Sequence, residues 1–149
     1  MNILFTSEGF NNLVNEIQEL ENSMPYLVSE LKKASELGDR SENAAYRVAK
    51  SKLRQTSNRI SYLNSLKNRS KVVAPSGTSK IEIGCRVSLE INGKDFEYKV
   101  VGSHEADPSK GYISYLSPIG KVILNKKVGE SVELEINGFI KKITIKSIL

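Results

Sequence analysis

The chain has 149 residues, 39% of them hydrophobic and 26% charged, with a net charge of +5 and a pI of about 9.3. A single cysteine, Cys85, excludes an internal disulfide framework and a Cys-rich metal site. No apolar run approaches the roughly 20 residues that span a bilayer, which excludes a helical membrane span. The length bounds the fold to one domain or two small ones, and the basic balance suits a polyanionic partner. The modest apolar content suits a chain that is partly coiled coil, because such a seam is narrow. The opening MNILFTSEGF lacks a basic region followed by an apolar core, so no signal peptide is expected. With so few cysteines, a soluble protein of the reducing cytoplasm is the expectation. Cys85 itself reads as a half-buried strand residue.

From Phe10 the apolar positions run Phe10, Leu13, Ile17, Leu20, Met24, Leu27, Leu31, Ala34, alternating steps of three and four. That is a heptad seam, and Thr6 is a suitable N-cap before it. Pro25 lies inside the pattern and is expected to kink or briefly break the helix near Ser23 and Met24, with the axis continuing. Leu37-Gly38 ends this first helix. A second seam follows at Tyr46, Ala49, Leu53, Thr56, Ile60 and Leu63. Two such helices joined by a short loop fold back as an antiparallel coiled-coil hairpin, about 45 Å long at about 1.5 Å per residue. The polar Thr56 on the seam has no evident role.

Lys71 to Lys80, KVVAPSGTSK, cannot continue a helix and marks a boundary. The division expected is 1–74 for the hairpin, 75–80 for a linker and 81–149 for a second domain. There the period becomes two. Arg86–Ile91 and Phe96–Val100 flank Asn92-Gly93, and Ser131–Ile136 and Ile140–Ile145 flank Asn137-Gly138; Asn-Gly between alternating runs is a strong hairpin signal. Gly111–Tyr115 reads as a further strand, and Pro118 to Lys127 as one or two helical turns. The fold class expected is α+β: a helical hairpin followed by a small, mostly antiparallel β domain with a short helix.

The charges are unequally shared. The first helix carries Glu8, Glu16, Glu19, Glu21, Glu30 and Glu36 against Lys32 and Lys33, whereas Asn43 to Lys71 carries Arg47, Lys50, Lys52, Arg54, Arg59, Lys67, Arg69 and Lys71 and no acid. Interhelical pairing explains part of this. It leaves Arg47, Lys50 and Arg54 near the hairpin's tip as a basic band suited to phosphate contact. At the tip, Asp39-x-x-Glu42 fits a capping box for the second helix, with both carboxylates at its positive end. It also presents two hard oxygen ligands on one turn, which suit Mg²⁺ but cannot complete its shell, since position 45 is alanine. A stalk this long makes sense when its end must reach into something.

Gly38-Asp39-Arg40-Ser41-Glu42-Asn43-Ala44-x-Tyr46 resembles the tip motif of the bacterial transcript cleavage factors GreA and GreB. Arg40, Lys52-Leu53-Arg54 and Arg59-Ile60-Ser61-Tyr62-Leu63 are closer to the GreB branch. The resemblance runs the length of the chain, through Thr6-x-x-Gly9, Met24-Pro25, Val100-Val101-Gly102, Glu105-Ala106-Asp107, Ile113-Ser114, Ser117-Pro118 and Lys127-Val128-Gly129. It implies that the coiled coil enters the secondary channel of RNA polymerase and that an FKBP-like C-terminal domain docks at the channel rim. It implies that Asp39 and Glu42 help hold a second Mg²⁺, shared with the polymerase, when a backtracked RNA 3′ end is extruded there. The isolated protein would hold no metal, and the polymerase's own site would cut the RNA, so the chain is not itself an enzyme. Arg47, Lys50, Lys52 and Arg54 would guide the RNA, and Ser117 and Pro118 match the segment placed at the docking surface; a local role for Pro118 as first residue of a helix stands beside it. A monomer with no membrane partner is expected.

Three positions depart from the resemblance: Ala45 where an acidic residue is usual, Gly120-Lys121-Val122 where Ala and Arg are usual, and Asn125 where glycine is usual. Ala45 favours a second reading, a Gre-like channel binder that inhibits or regulates the polymerase without stimulating cleavage. A third, an FKBP-like prolyl isomerase, needs an aromatic-lined pocket, and Phe96, Tyr98, Tyr112, Tyr115 and Phe139 read instead as strand residues. His104, beside Glu105 and Asp107, reads as loop, since the further ligands zinc needs are missing.

Overall fold

The computed structural model describes residues 2–38 and 43–149. The chain forms two compact units, one of Asn11–Arg69 and one of Met1–Phe10 with Ser70–Leu149. Among the described residues no helix is long and apolar enough to cross a membrane.

The helical unit is built from α1 (Ser7–Ser35) and α2 (Ala44–Asn68). Both seams face inward: Leu13, Ile17, Ala34, Thr56, Leu63 and Leu66 are buried, and Leu20, Met24, Leu27, Leu31, Ala49, Leu53 and Ile60 are half-buried. The helices run antiparallel, since Arg59 of α2 grips Glu16 near the start of α1 while Asn43, before α2, bonds to Ala34 near its end. α1 is unbroken through Pro25, contrary to the expected interruption. The proline removes the donor for the Glu21 carbonyl, but Glu21 and Pro25 both lie on the exposed face, where water can take that bond. The seam on the other side holds the helix together.

α1 ends at Ser35, two residues before the expected stop, through short-range bonds from the Glu36 and Leu37 amides to the Lys33 and Ala34 carbonyls. A second correction concerns the start of α2. Its N-cap is Asn43, whose side chain accepts from the Tyr46 amide, so the capping box read for Asp39 and Glu42 is not the one used.

In the other unit a five-stranded sheet has the order β5-β4-β3-β7-β6: β3 (Arg86–Ile91), β4 (Lys94–Val101), β5 (Tyr112–Ser114), β6 (Ser131–Ile136) and β7 (Phe139–Ile148). All pairings are antiparallel except β4 with β5. Asn92 and Asn137 have φ of 49° and 53°, and the following glycines 84° and 81°, so both hairpins turn through paired left-handed residues. Val87, Leu89, Ile91, Val100, Ile143 and Ile145 point to one face and bury a core closed by Ile81, Cys85 and Ile123, the last on α3 (Pro118–Ile123). Cys85 is wholly buried just before β3 rather than half-buried within a strand.

The same unit holds a two-stranded parallel sheet the sequence did not reveal, β1 (Ile3–Phe5) with β2 (Ser70–Val72). Beside it Glu105 clamps the start of α1. Its carboxylate accepts from the Thr6 amide at 2.9 Å, from the Gly102 amide at 3.0 Å and from the Thr6 hydroxyl. The Thr6 hydroxyl caps α1 by accepting from Gly9. The packing leaves no room for side chains here: a Cβ on Gly9 would fall 2.0 Å from Glu105 Oε1, and one on Gly102 would fall 2.1 Å from the Leu4 carbonyl oxygen.

Candidate functional site

The tip carboxylates Asp39 and Glu42 lie outside the described residues, as does Arg40. What the structure describes is the frame on either side. Gly38, at φ 142°, takes a backbone conformation that favours glycine, and α2 begins only five residues later with its cap, Asn43. Asn43 uses both ends of its amide. Oδ1 accepts from Tyr46 at 3.1 Å, and Nδ2 donates to the Ala34 carbonyl, one of the last acceptors of α1. The two helix ends that bracket the carboxylate segment are therefore joined through one side chain. Sequence reasoning missed it because Asp39 was also a legitimate cap; the signal was Asn, a strong capping residue, directly before Ala44.

Arg47, Lys50, Lys52 and Arg54 are all exposed on α2 and form no ion pair among the described residues. They do not make one tight patch. At about 100° per residue they spread over about 200° of the helix, with Arg54 and Lys50 to one side of Arg47 and Lys52 to the other. Arg47 and Lys52 flank a shallow depression lined by Val48, Ser51 and Gln55. The Lys50 ammonium sits 6.0 Å above the Tyr46 ring. Interhelical pairing accounts for Arg59, which donates to Glu16 through Nε and Nη2 at 3.1–3.3 Å, and not for these four. Ala45 lies beside Leu37 and Val48 on the wall of an apolar groove between the helices.

In the sheet unit, Ser117 is the N-cap of α3 and accepts from Gly120, while its hydroxyl donates to the Ser114 carbonyl at 2.6 Å. Pro118 is the first helical residue, the local role expected for it. Gly120 has a reason to be glycine: a Cβ there would meet the Ser114 carbonyl oxygen at 2.1 Å. Asn125 stands at φ 67°, a left-handed conformation that asparagine tolerates.

Several other titratable groups have structural work. Lys99 lies 2.6 Å from Glu8, and its hydrogen bond, with a second from the Tyr112 hydroxyl, holds the Glu8 carboxyl below its ordinary value. Asp107 caps a short 3-10 turn, Pro108–Lys110, and its hydrogen bond from the Ser109 hydroxyl lowers its pKa. His104 stacks on Phe5. Among the described residues no three of His, Cys, Asp and Glu gather where they could hold a metal. The aromatic residues do not converge on an isomerase pocket either: Tyr98 and Tyr115 pack on the core, Tyr112 binds Glu8, and Phe139 is exposed.

The chain thus consists of a helical hairpin unit and a small sheet unit, and comparison with known proteins gives its class. The profile of the transcription elongation factor N-terminal family, GreA/GreB, matches residues 3–72, and that of the GreA/GreB C-terminal family matches residues 75–149. The chain belongs to the GreA/GreB family of transcription elongation factors. It is 42% identical over 138 residues to the transcription elongation factor GreA of Mesoplasma florum, covering 89% of this chain and 88% of that one. It is 40% identical over 152 residues to GreA of Mycoplasma capricolum, covering 98% and 97%. The leaning toward the GreB branch read from Arg40 and α2 has no counterpart in those names. Among solved structures, the GreA factor homolog Gfh1 of Thermus thermophilus is 22% identical, with a TM-score of 0.47 over 100% of this chain and 99% of that one.

Proposed function

We propose that this chain acts on RNA polymerase as a transcript cleavage factor. In this reading the helical hairpin enters the secondary channel, and its tip segment meets the 3′ end of a backtracked RNA. The observation that carries the proposal is the position of Asp39 and Glu42: they fall between the ends of two long antiparallel helices that are seam-packed along their length. At about 1.5 Å per residue α1 alone is about 44 Å long, enough to carry a tip group deep into a channel.

Asp39 and Glu42 are hard oxygen donors and fit a share of an Mg²⁺ shell, the rest of which the polymerase and the RNA must supply. The ion, when bound, would supply charge stabilisation and a more acidic water at the phosphodiester. The chain's own residues do the rest of its work. The paired carboxylates arrive together, and Arg47, Lys50, Lys52 and Arg54, free of ion pairs among the described residues, offset phosphate charge along the extruded strand. Ser117 and Pro118 are assigned to the rim-docking surface, where the capped start of α3 presents them. The bond is broken by the polymerase.

The test is an Asp39→Asn, Glu42→Gln double variant added to stalled, backtracked complexes. Transition-state stabilisation of several kcal/mol by a shared ion corresponds to a loss of stimulated cleavage of about a hundredfold or more, with polymerase binding retained. Lost binding with unchanged cleavage per bound factor would make the tip a docking element only. Ala45, which leaves the segment two carboxylates rather than three, favours the alternative of a channel binder that regulates without cleavage; wild-type factor that blocks nucleotide addition and yields no shortened RNA would establish it.

A further inference from the structure

We infer that Asn43 is a positioning residue for the tip carboxylates: by joining the end of α1 to the start of α2 it fixes how far apart the helix ends that precede Asp39 and follow Glu42 in sequence stand. The inference rests on the functional reading above, and its argument rests on chemistry that only one residue type supplies here. The side-chain amide has an acceptor and a donor on the same planar group. The acceptor is spent on the α2 cap and the donor on the Ala34 carbonyl.

A capping role alone would not need asparagine. Aspartate and serine cap as well, since only an acceptor for the Tyr46 amide is required. The bond to α1 is the part they cannot reproduce. Aspartate has the same shape, but it would set an oxygen against the Ala34 carbonyl oxygen. Serine is too short to reach both partners. The Ala34 carbonyl also accepts from the Leu37 amide at 3.2 Å, so Asn43 ties into the closing turn of α1 rather than to a loose strand.

The tie matters because the seam ends with α1 at Ser35 and begins again only at Tyr46. From Gly38 to Asn43 the chain could extend to about 17 Å at about 3.4 Å per residue. The apolar seam near the tip is built of small or half-buried residues: Ala34 is buried, and Tyr46 and Ala49 of α2 are half-buried. Little apolar packing therefore fixes how far apart the helix ends stand. A misplacement of about 1 Å can cost a reaction about a hundredfold, so a hydrogen bond that fixes this gap acts on rate without touching the substrate.

The experiment compares Asn43→Asp and Asn43→Ser with wild type in stalled, backtracked elongation complexes. The expected result is unchanged helix content, a half-saturating factor concentration within about twofold, and a saturating cleavage rate reduced by about tenfold or more in both variants. A role in folding alone would instead lower helix content, or raise the concentration needed, and leave the saturating rate in place. Rates within about twofold of wild type in both variants overturn the inference. A second measurement is independent of activity: spin labels at Leu37→Cys and Val48→Cys, with native Cys85 shielded by its complete burial. A distance distribution that broadens or shifts in both variants supports the tie, and unchanged distributions overturn it. Should wild-type factor fail to stimulate cleavage, the functional reading falls, and the spin-label arm still decides the role of Asn43.

Discussion

Glu105 offers the sharpest test of how the sheet unit holds the first turn of α1. Its carboxylate accepts from two backbone amides, Thr6 and Gly102, and from the Thr6 hydroxyl, and Thr6 is only 4% exposed. Glu105→Ala strands both amides in a largely dry site; at about 1–3 kcal/mol for each unpaired buried donor, the loss is about 3 kcal/mol once some water reaches them. Glu105→Gln keeps the shape and one oxygen for the amide pair, and loses the charge assistance and the bond the Thr6 hydroxyl donates to Oε1, about 1–2 kcal/mol. The assay is urea unfolding followed by tyrosine fluorescence, to which Tyr98, Tyr112 and Tyr115 of this unit contribute beside Tyr26, Tyr46 and Tyr62 of the helical unit, with helix content from circular dichroism to separate the two. The midpoint should fall in the order wild type, Gln, Ala, with the slope unchanged. A Glu105→Ala loss below about 1 kcal/mol, or a Gln variant as damaged as Ala, would refute the claim that the stranded amides carry the cost.

Glu8 gives a pH prediction. Its folded pKa is depressed by Lys99 and Tyr112, so its contribution is present above the ordinary glutamate range and is lost as pH falls through the lowered folded value. Since the side chain is 45% exposed, the difference between wild type and Glu8→Gln should be under about 1 kcal/mol at pH 7 and should vanish in acid; a difference that grows on acidification would contradict the assignment. Gly120→Ala should cost about 1–3 kcal/mol, because the new methyl meets the Ser114 carbonyl and the start of α3 must shift. Thermal melts that leave the variant unchanged would show that α3 yields freely.

Much of this fold was written in local pattern. The heptad steps from Phe10 and from Tyr46 name the residues that lie inward, and both Asn-Gly turns fall where their left-handed φ requires them. What escaped was what distance in the chain conceals. The pairing of Ile3–Phe5 with Ser70–Val72 joins two three-residue strands across the whole helical hairpin, and neither is long enough to alternate visibly. Glu105 reads as a loop acid until Thr6, ninety-nine residues earlier, is placed against it. Pro25 misled because the rule that proline breaks a helix was given too much weight: the seam steps already put Glu21 and Pro25 on the outer face, where water can take the freed carbonyl. At the tip, two caps competed, Asp39 and Asn43, and the bond to Ala34 that distinguishes them belongs to another helix. The spacing of Arg47, Lys50 and Arg54 suggested a cluster, and helical rotation keeps these three within about 60° of one another, while it turns Lys52 to the other side.

The sheet order has a consequence for how the molecule is made. β7 is inserted between β3 and β6, and pairs with both, although it is the final strand in sequence order. On the ribosome the helical hairpin, rich in nearby contacts, can form as soon as Asn68 has emerged. β3, β4 and β5 must wait with an open edge until Phe139–Ile148 arrives to close it. Nascent chains lacking that strand should therefore carry a finished hairpin beside an unfinished sheet, the form in which this protein is most exposed to proteases and to sticking.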